Sequence, residues 1–563
     1  MKADFKRSTK RLSAFDIVFF AVLVLSAAGK VSAALRLAIN SDNSLPALVY
    51  YDLVKNHNFT LRLWNFAVNS FLFTDLPVYL ALGPVLGMGA LTLKIGALIL
   101  FALSIILMSC VAYRIFDART ALYCAGFLLA ASPFFSSFAL RSFDGSRVGT
   151  IIFSLAAYLA VDSMIRAKGR ARGWRGAVFP LSVVFMATSL AVFSDPYALL
   201  FVAAGAAAYL GMRVFRRSRL LDRGVEAALI VTVAAALMTV KLLYAAAGPL
   251  DITFLRHLVP FGFTDAKDAS GYFLYYCRLC AGLFNMDALE KGLPWYETAL
   301  RASNALLFAA VSAGASILTV KEKDDRKGFA LLFFCGVWVL ASLAFIFKQE
   351  VVLDMQQARY LAPLLYPVSI FFALCVGGGG GEGRLPWKCR ALMLALFFLS
   401  ALYSAGTGFQ QKPGYKPDEA RIRLSRFLEQ NGLSYGYADY WNADVLTLLS
   451  NDAVKVRSLS YKAKSNEFKL YVLNAKLDWY KPSRYEGRTF LIVAKSGQSS
   501  DFDRLYSARE TITRFFGRPE EVLQFEDKYI YVWPHNIVVK FWPSPPPEKS
   551  DARHAKGAPE GLK

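Results

Sequence analysis

Apolar residues in this chain gather in blocks of about 17 to 23, divided by short polar or charged segments. A block of that length matches the roughly 20 residues a helix needs to cross a hydrocarbon core about 30 Å thick. The pattern predicts eleven such helices, at 17–39, 91–113, 121–140, 148–165, 177–193, 196–212, 225–246, 299–319, 328–347, 360–376 and 390–406. The first is too long, and too polar towards its end, for a cleaved signal peptide, and no A-x-A-like site follows it. FLFTDLPVYLALGPVLGMG (71–89) also has the length of a span. Counting it as one would invert every later loop, so 41–90 is read as a long external loop lying along the interface. It should hold short amphipathic helices near 45–55 and 76–86.

From residue 407 the pattern changes. Strand-like runs (SYGYA, VKVRSLSY, RTFLIVAK, KYIYVWP) alternate with helical ones (DEARIRLSRFLEQNG, NADVLTLLSN, DFDRLYSARETITRFFG). That alternation predicts a small α/β domain over 407–542, large enough for its own core. The tail 543–563 is Pro-rich and charged, a composition that favours disorder. GGGGGEG (377–383) reads as a flexible linker. The expected fold class is a polytopic α-helical membrane domain over 1–406 followed by a small extracytoplasmic α/β domain.

Composition agrees. Of 563 residues, 55% are hydrophobic and 19% charged, which excludes an ordinary soluble enzyme. The chain carries 64 Lys and Arg against 42 acids, a net charge of +22. These cations lie between apolar blocks, where a membrane surface explains them and no nucleic-acid partner is expected. With a cytoplasmic N-terminus, RAKGRARGWR (166–175), RVFRRSRLLDR (213–223), KEKDDRK (321–327) and RLPWKCR (384–390) all fall inside. Lys and Arg between or at the edges of the spans then number 24 on the cytoplasmic side and 10 outside before residue 407. This is the positive-inside bias, and it makes the C-terminus extracytoplasmic.

No P-loop, HExxH or G-x-S-x-G motif is present. The one C-x-x-C, Cys277 and Cys280, lacks a partner pair; it reads as two helix residues, with a local disulfide or metal binding as the other readings. His57 and His257 are external and are candidates for contact with an acceptor. The external acids Asp42, Asp52, Asp75, Asp144 and Asp195 carry more information. Asp42 sits at a membrane boundary and Asp75 inside an apolar stretch, where an unpartnered carboxylate is costly. Each is therefore either a structural cap or a base with a raised pKa. Lys30, Arg36, Lys94 and Lys241 fall near the outer leaflet, where they either snorkel or bind an anion. Together with Arg62, Arg141, Arg147, Arg256, Lys348 and Arg359 they could receive the phosphate of a lipid-linked substrate.

One span, a long first external loop with an early acid, many further spans and an external α/β domain: this order resembles the GT-C glycosyltransferases, polytopic enzymes that use polyprenyl-phosphate sugars. Asp42 in NSDNS matches the place of the family's first-loop catalytic acid. ARYLAPLLYP (358–367) resembles its R-Y-x-x-P element, which maps onto Arg359, Tyr360 and Pro363. Ser132 and Pro133, then Arg141 and Asp144, resemble its short second external loop. The likeness covers residues 10–406 and implies an inverting glycosyltransferase of a bacterial inner (plasma) membrane. Its donor would be a sugar on a polyprenyl phosphate or diphosphate, and its acceptor a glycan, lipid or protein among membrane lipids. It casts Asp42 as base, with Asp75 and Asp144 as further catalytic acids, and Lys30, Arg36, Arg62, Arg141, Arg147, Arg359 and Tyr360 as the donor-phosphate site. A divalent metal ion is left open, because family members differ. Asn43 departs from the pattern, since an acid or aromatic usually stands close behind the first acid; this makes Asp75 a rival to Asp42. Two other classes share the spans: a transporter or flippase of lipid-linked sugar, which should show acids or broken helices near the midplane, and a non-catalytic envelope scaffold.

Overall fold

Ten helices among the described residues are long and apolar enough to cross a membrane, and a sharply bent pair brings the number to eleven if it is counted as one span. The chain is an integral membrane protein. The computed structural model describes residues 14–141, 147–168, 175–255, 268–288, 290, 292–347, 355–377, 385–409, 418–494, 502, 505 and 509–542. In chain order the membrane part comprises α1 (Ala14–Arg36), α2 (Ser41–Lys55), β1 (Trp64–Ala67), α3 (Leu76–Leu86), α4 (Ala90–Ile115), α5 (Ala118–Leu129), α6 (Pro133–Ala139) and α7 (Val148–Ala167). It continues with α8 (Arg175–Ser194), α9 (Leu199–Phe215), α10 (Arg223–Ala247), β2 (Thr253–Leu255), α11 (Ala269–Leu283), α12 (Trp295–Lys321), α13 (Asp325–Ile346), α14 (Leu365–Gly377) and α15 (Trp387–Phe409). Helix α14 is apolar all round and buried from Leu365 to Val376, so it is the axis of the bundle. It packs on α5, while α1 lies along α15 and α8 between α7 and α10.

The third expected span, 121–140, is not one continuous helix. Helices α5 and α6 meet at a bend of 89°. The break has a local cause: Ser132 caps α6 by accepting from the Phe135 amide (3.0 Å), and Pro133 occupies its first turn. The carbonyl of Ala131 freed there accepts from Lys30 Nζ at 2.5 Å.

In the first loop, Asn40 caps α2 and exchanges side-chain hydrogen bonds with Asn43, a reciprocal capping box. Asn43 therefore serves the helix start that presents Asp42. Helix α3 has 11 residues, about 16 Å, too short to cross. Strand β1 pairs in parallel with β2 and antiparallel with β6 (Ala475–Lys476), tying two loops of the bundle to the C-terminal domain.

That domain contains α16 (Glu419–Gln430), β3 (Tyr435–Asp439), α17 (Tyr440–Leu449), β4 (Lys455–Lys462), β5 (Glu467–Leu470), β6, β7 (Thr489–Ala494), α18 (Arg509–Phe516), β8 (Glu521–Phe525) and β9 (Lys528–Trp533). Six strands form one mixed sheet in the order β5-β4-β3-β7-β9-β8, with β4, β3 and β7 parallel at its centre. Leu424, Leu428, Ala443, Leu446, Val456 and Ile492 pack between the sheet and α16 and α17. Because β4 and β7 flank β3, the winding reverses there, and open α/β sheets place their ligands at the carboxyl ends of strands at such a switch point. Helix α17 starts at that end of β3 and packs against α2.

Candidate functional site

Asp42 stands in the first turn of α2, where the bundle meets the sheet domain. Its Oδ1 accepts a hydrogen bond from the Tyr440 hydroxyl, and its Oδ2 lies 3.9 Å from the Arg359 guanidinium. The side chain keeps 23% of its exposure, so a substrate hydroxyl has a way in. Ser41 Oγ donates to the Tyr440 carbonyl. One turn along α17, Asp444 is buried (6% exposed), and burial pushes its carboxyl up to about 7.

From Asp42 a chain of contacts runs through the residues that enter α14. The Arg359 guanidinium lies 5.3 Å from the centre of the Tyr360 ring, and the Arg147 guanidinium lies 5.1 Å from the centre of the same ring and 4.2 Å from that of the Tyr197 ring. Tyr197 Oη donates to the Tyr360 carbonyl at 3.1 Å. Arg147 is buried and paired with Asp195, whose second oxygen accepts from Thr150 Oγ1 at 3.0 Å. Beyond lies Asp75, 6% exposed and pressed on Gly149, where a Cβ would fall 1.9 Å from its Oδ1. That oxygen has no hydrogen-bond partner among the described residues. Burial pushes the Asp75 carboxyl up to about 7; the Thr74 hydroxyl opposes part of the rise and the charge of Asp195 adds to it. The two rival acids of the first loop are thus the two ends of one polar cluster.

Other expected site residues are held elsewhere. Lys30 is buried and spends its ammonium on Ala131 O, Ser136 Oγ (2.6 Å) and Ser404 Oγ (2.9 Å), inside the bundle at the α5–α6 break. Arg36 donates to the Phe409 carbonyl at 3.2 Å, Arg62 pairs with Asp251 at 2.9 Å on the surface, and Arg141 ends α6 through its amide. Lys94 donates to the Leu35 carbonyl and faces Asp418 at 3.8 Å. His57 is exposed beyond the far end of α2, about 20 Å from Asp42 along a 15-residue helix. Asp144, His257, Arg256 and Lys348 lie outside the described residues. Asp52 is a structural acid: burial raises its pKa, but hydrogen bonds from Asn58, Lys476, Trp64 and Asn56 outweigh that and leave it lowered. Cys277 and Cys280 are helix residues of α11 and unbridged. Among the described residues no three His, Cys, Asp or Glu side chains group to hold a metal.

Tyr440, Tyr197, Thr150 and Asp444 join the cluster although sequence reasoning did not single them out. Tyr440 lies in the aromatic run YGYADYW (435–441). A cavity of about 420 Å³ lies between α7, α8, α9, α10 and α13. Its wall is mostly apolar, with Glu226 and Tyr209 among its polar members, and it reaches Ser154, Val192 and Ala198, chain neighbours of Thr150, Asp195 and Tyr197.

The chain is similar in structure to ArnT from Cupriavidus metallidurans bound to undecaprenyl phosphate, at 11% identity over 92% of this chain and 98% of that one, with a TM-score of 0.52. The apo state of ArnT gives 10% identity, 92% and 97% coverage and a TM-score of 0.51. The Archaeoglobus fulgidus oligosaccharyltransferase in complex with zinc and sulfate is similar at 13% identity, over 84% of this chain and 68% of that one, with a TM-score of 0.50. No protein-family model matches the sequence, and comparison with curated proteins finds no match. At these identities the likeness speaks to architecture, and there it agrees with the span pattern and the C-terminal sheet: the chain shares the fold of ArnT and of the Archaeoglobus fulgidus oligosaccharyltransferase.

Proposed function

We propose that this protein is an inverting glycosyltransferase that takes its sugar from a polyprenyl-phosphate donor on the outer face of a bacterial inner membrane. The observation that carries the reading is the facing of Asp42 and Arg359 beneath the sheet domain. Asp42 accepts the proton of an acceptor hydroxyl as its oxygen attacks the anomeric carbon. The bond from that carbon to the phosphate oxygen breaks, and the lipid phosphate leaves with the electron pair. The Arg359 guanidinium stabilises the charge that gathers on it. The apolar cavity between α7 and α13 has the chemistry to take a lipid tail beside Arg147 and Tyr197. That ArnT of the same fold binds undecaprenyl phosphate supports this class of donor. Among the described residues, no three His, Cys, Asp or Glu side chains group around Asp42.

The transport reading has one observation on its side, the α5–α6 break. Among the described residues, the wall of the cavity of about 60 Å³ at that break holds no carboxylate.

The test is sugar transfer by the purified full-length protein from a panel of polyprenyl-phosphate monosaccharides to envelope extract. Asp42→Asn should lower the rate by about 10²–10⁴-fold at unchanged thermal stability. Full activity of that variant would overturn Asp42 as base.

A further inference from the structure

Tyr440 belongs to the sheet domain and lies 398 residues from Asp42 along the chain, yet it is fixed from several sides. Its carbonyl accepts from Ser41 Oγ. Its ring centroid stands 4.7 Å from that of Tyr471 and 5.2 Å from that of Trp441. Its hydroxyl donates to Asp42 Oδ1. Helix α17 needs none of this to start, because Asp439 already caps it, accepting from the Trp441 amide (3.2 Å) and Asn442 Nδ2 (2.6 Å). Ser41 and Asp42 are consecutive, so two hydrogen bonds cross the junction of α2 and α17 in opposite directions beside the carboxylate.

The consequence is geometric. A carboxylate on a rotating side chain is aimed by fixing one oxygen. Here Oδ1 is held by Tyr440, while Oδ2 faces Arg359 at 3.9 Å, beyond hydrogen-bond length. Oδ2 is therefore the oxygen left to take a proton from an acceptor. The other titratable groups that sense Asp42 are Asp444, on the same face of α17, and Tyr471, after β5. Tyr440 also marks the carboxyl end of β3, the switch point of the sheet.

We infer that Tyr440 is a positioning residue for Asp42, so that the sheet domain completes the active centre by docking α17 on α2. The inference rests on the reading of Asp42 as base.

The experiment compares Asp42→Asn, Tyr440→Phe and Ser41→Ala in the full-length protein. It measures kcat and donor KM with the donor found by the panel, thermal stability, and affinity for undecaprenyl phosphate alone. Phe keeps the ring packing and removes only the hydroxyl. With Asp42→Asn inactive, Tyr440→Phe should lower kcat about tenfold, at unchanged donor KM, stability and undecaprenyl-phosphate affinity. Ser41→Ala, which loosens the same junction without touching either reacting side chain, should lower kcat about threefold. Wild-type kcat in Tyr440→Phe beside an inactive Asp42→Asn overturns the inference and leaves the base assignment standing. A fall in kcat matched by lost stability or lost lipid affinity also overturns it, because Tyr440 is then structural. An active Asp42→Asn overturns both.

Discussion

Asp42 and Asp75 come from one loop and end in one polar cluster, but they are held in opposite ways. Asp42 has a donor on one oxygen, a cation facing the other and a side chain partly open to solvent. Asp75 is closed in against Gly149, with an oxygen that no described residue bonds and a carboxyl raised to about 7. A base needs a route for the proton as well as affinity for it. Asp42 has the route, whereas Asp75 has only the affinity. On the proposed reading of Asp42 as base, burial alone does not mark the catalytic acid in this loop.

The comparison breaks most sharply on Asp42→Asn set beside Asp75→Asn. If Asp75→Asn is the inactive variant, stably folded, while Asp42→Asn keeps its rate, the roles of the two ends are exchanged. Next comes Arg359→Gln, which removes the charge facing Asp42 and should lower kcat/KM for the donor by about tenfold or more with the fold intact. The same substitution should weaken undecaprenyl phosphate binding, and unchanged binding would separate Arg359 from the phosphate. Gly149→Ala probes the closed end, since its Cβ would meet the Asp75 carboxyl at 1.9 Å and the Thr74 main chain at 3.0 Å. It should cost about 1–3 kcal/mol in unfolding stability, as overpacking does.

The smallest effect is a pH dependence. The folded-state pKa of Asp75 is raised from 3.8 to about 7, so its ionisation opposes the fold. The penalty is absent below about pH 4, grows between about pH 4 and pH 7 and is complete above about pH 7. Asp75→Asn should therefore gain on the wild type at pH 8 and lose that gain at pH 4. The gain is on the order of 1 kcal/mol once the unpaired amide of Asn is set against it. A melting-temperature difference that does not change with pH would show that Asp75 finds a partner.

Much of this was legible from residues in order. Short helices near 45–55 and 76–86 appear as α2 and α3, and the strand-like runs SYGYA, VKVRSLSY, RTFLIVAK and KYIYVWP hold β3, β4, β7 and β9. The span at 121–140 was the exception. Its hydropathy is continuous, but Ser132 and Pro133 act on the backbone, which a hydropathy window does not sense. Lys30 was legible as a cation near a span end, although its use on the Ala131 carbonyl was not. The carbonyl needing a donor is created by that break and sits 101 residues away.

What the sequence determined alone is set by local physics: which segments are apolar enough for a membrane, which alternate as strands, where the cations concentrate, and that an acid follows the first span. What tertiary structure decided is partnership. Asp42 meets Tyr440 and Arg359 across 398 and 317 positions, Arg147 meets Asp195 across 48, and Asp75 is sealed by a glycine on another helix. A side chain's chemistry depends on its burial and on the charges within a few ångströms of it, and those neighbours come from segments that only folding brings together.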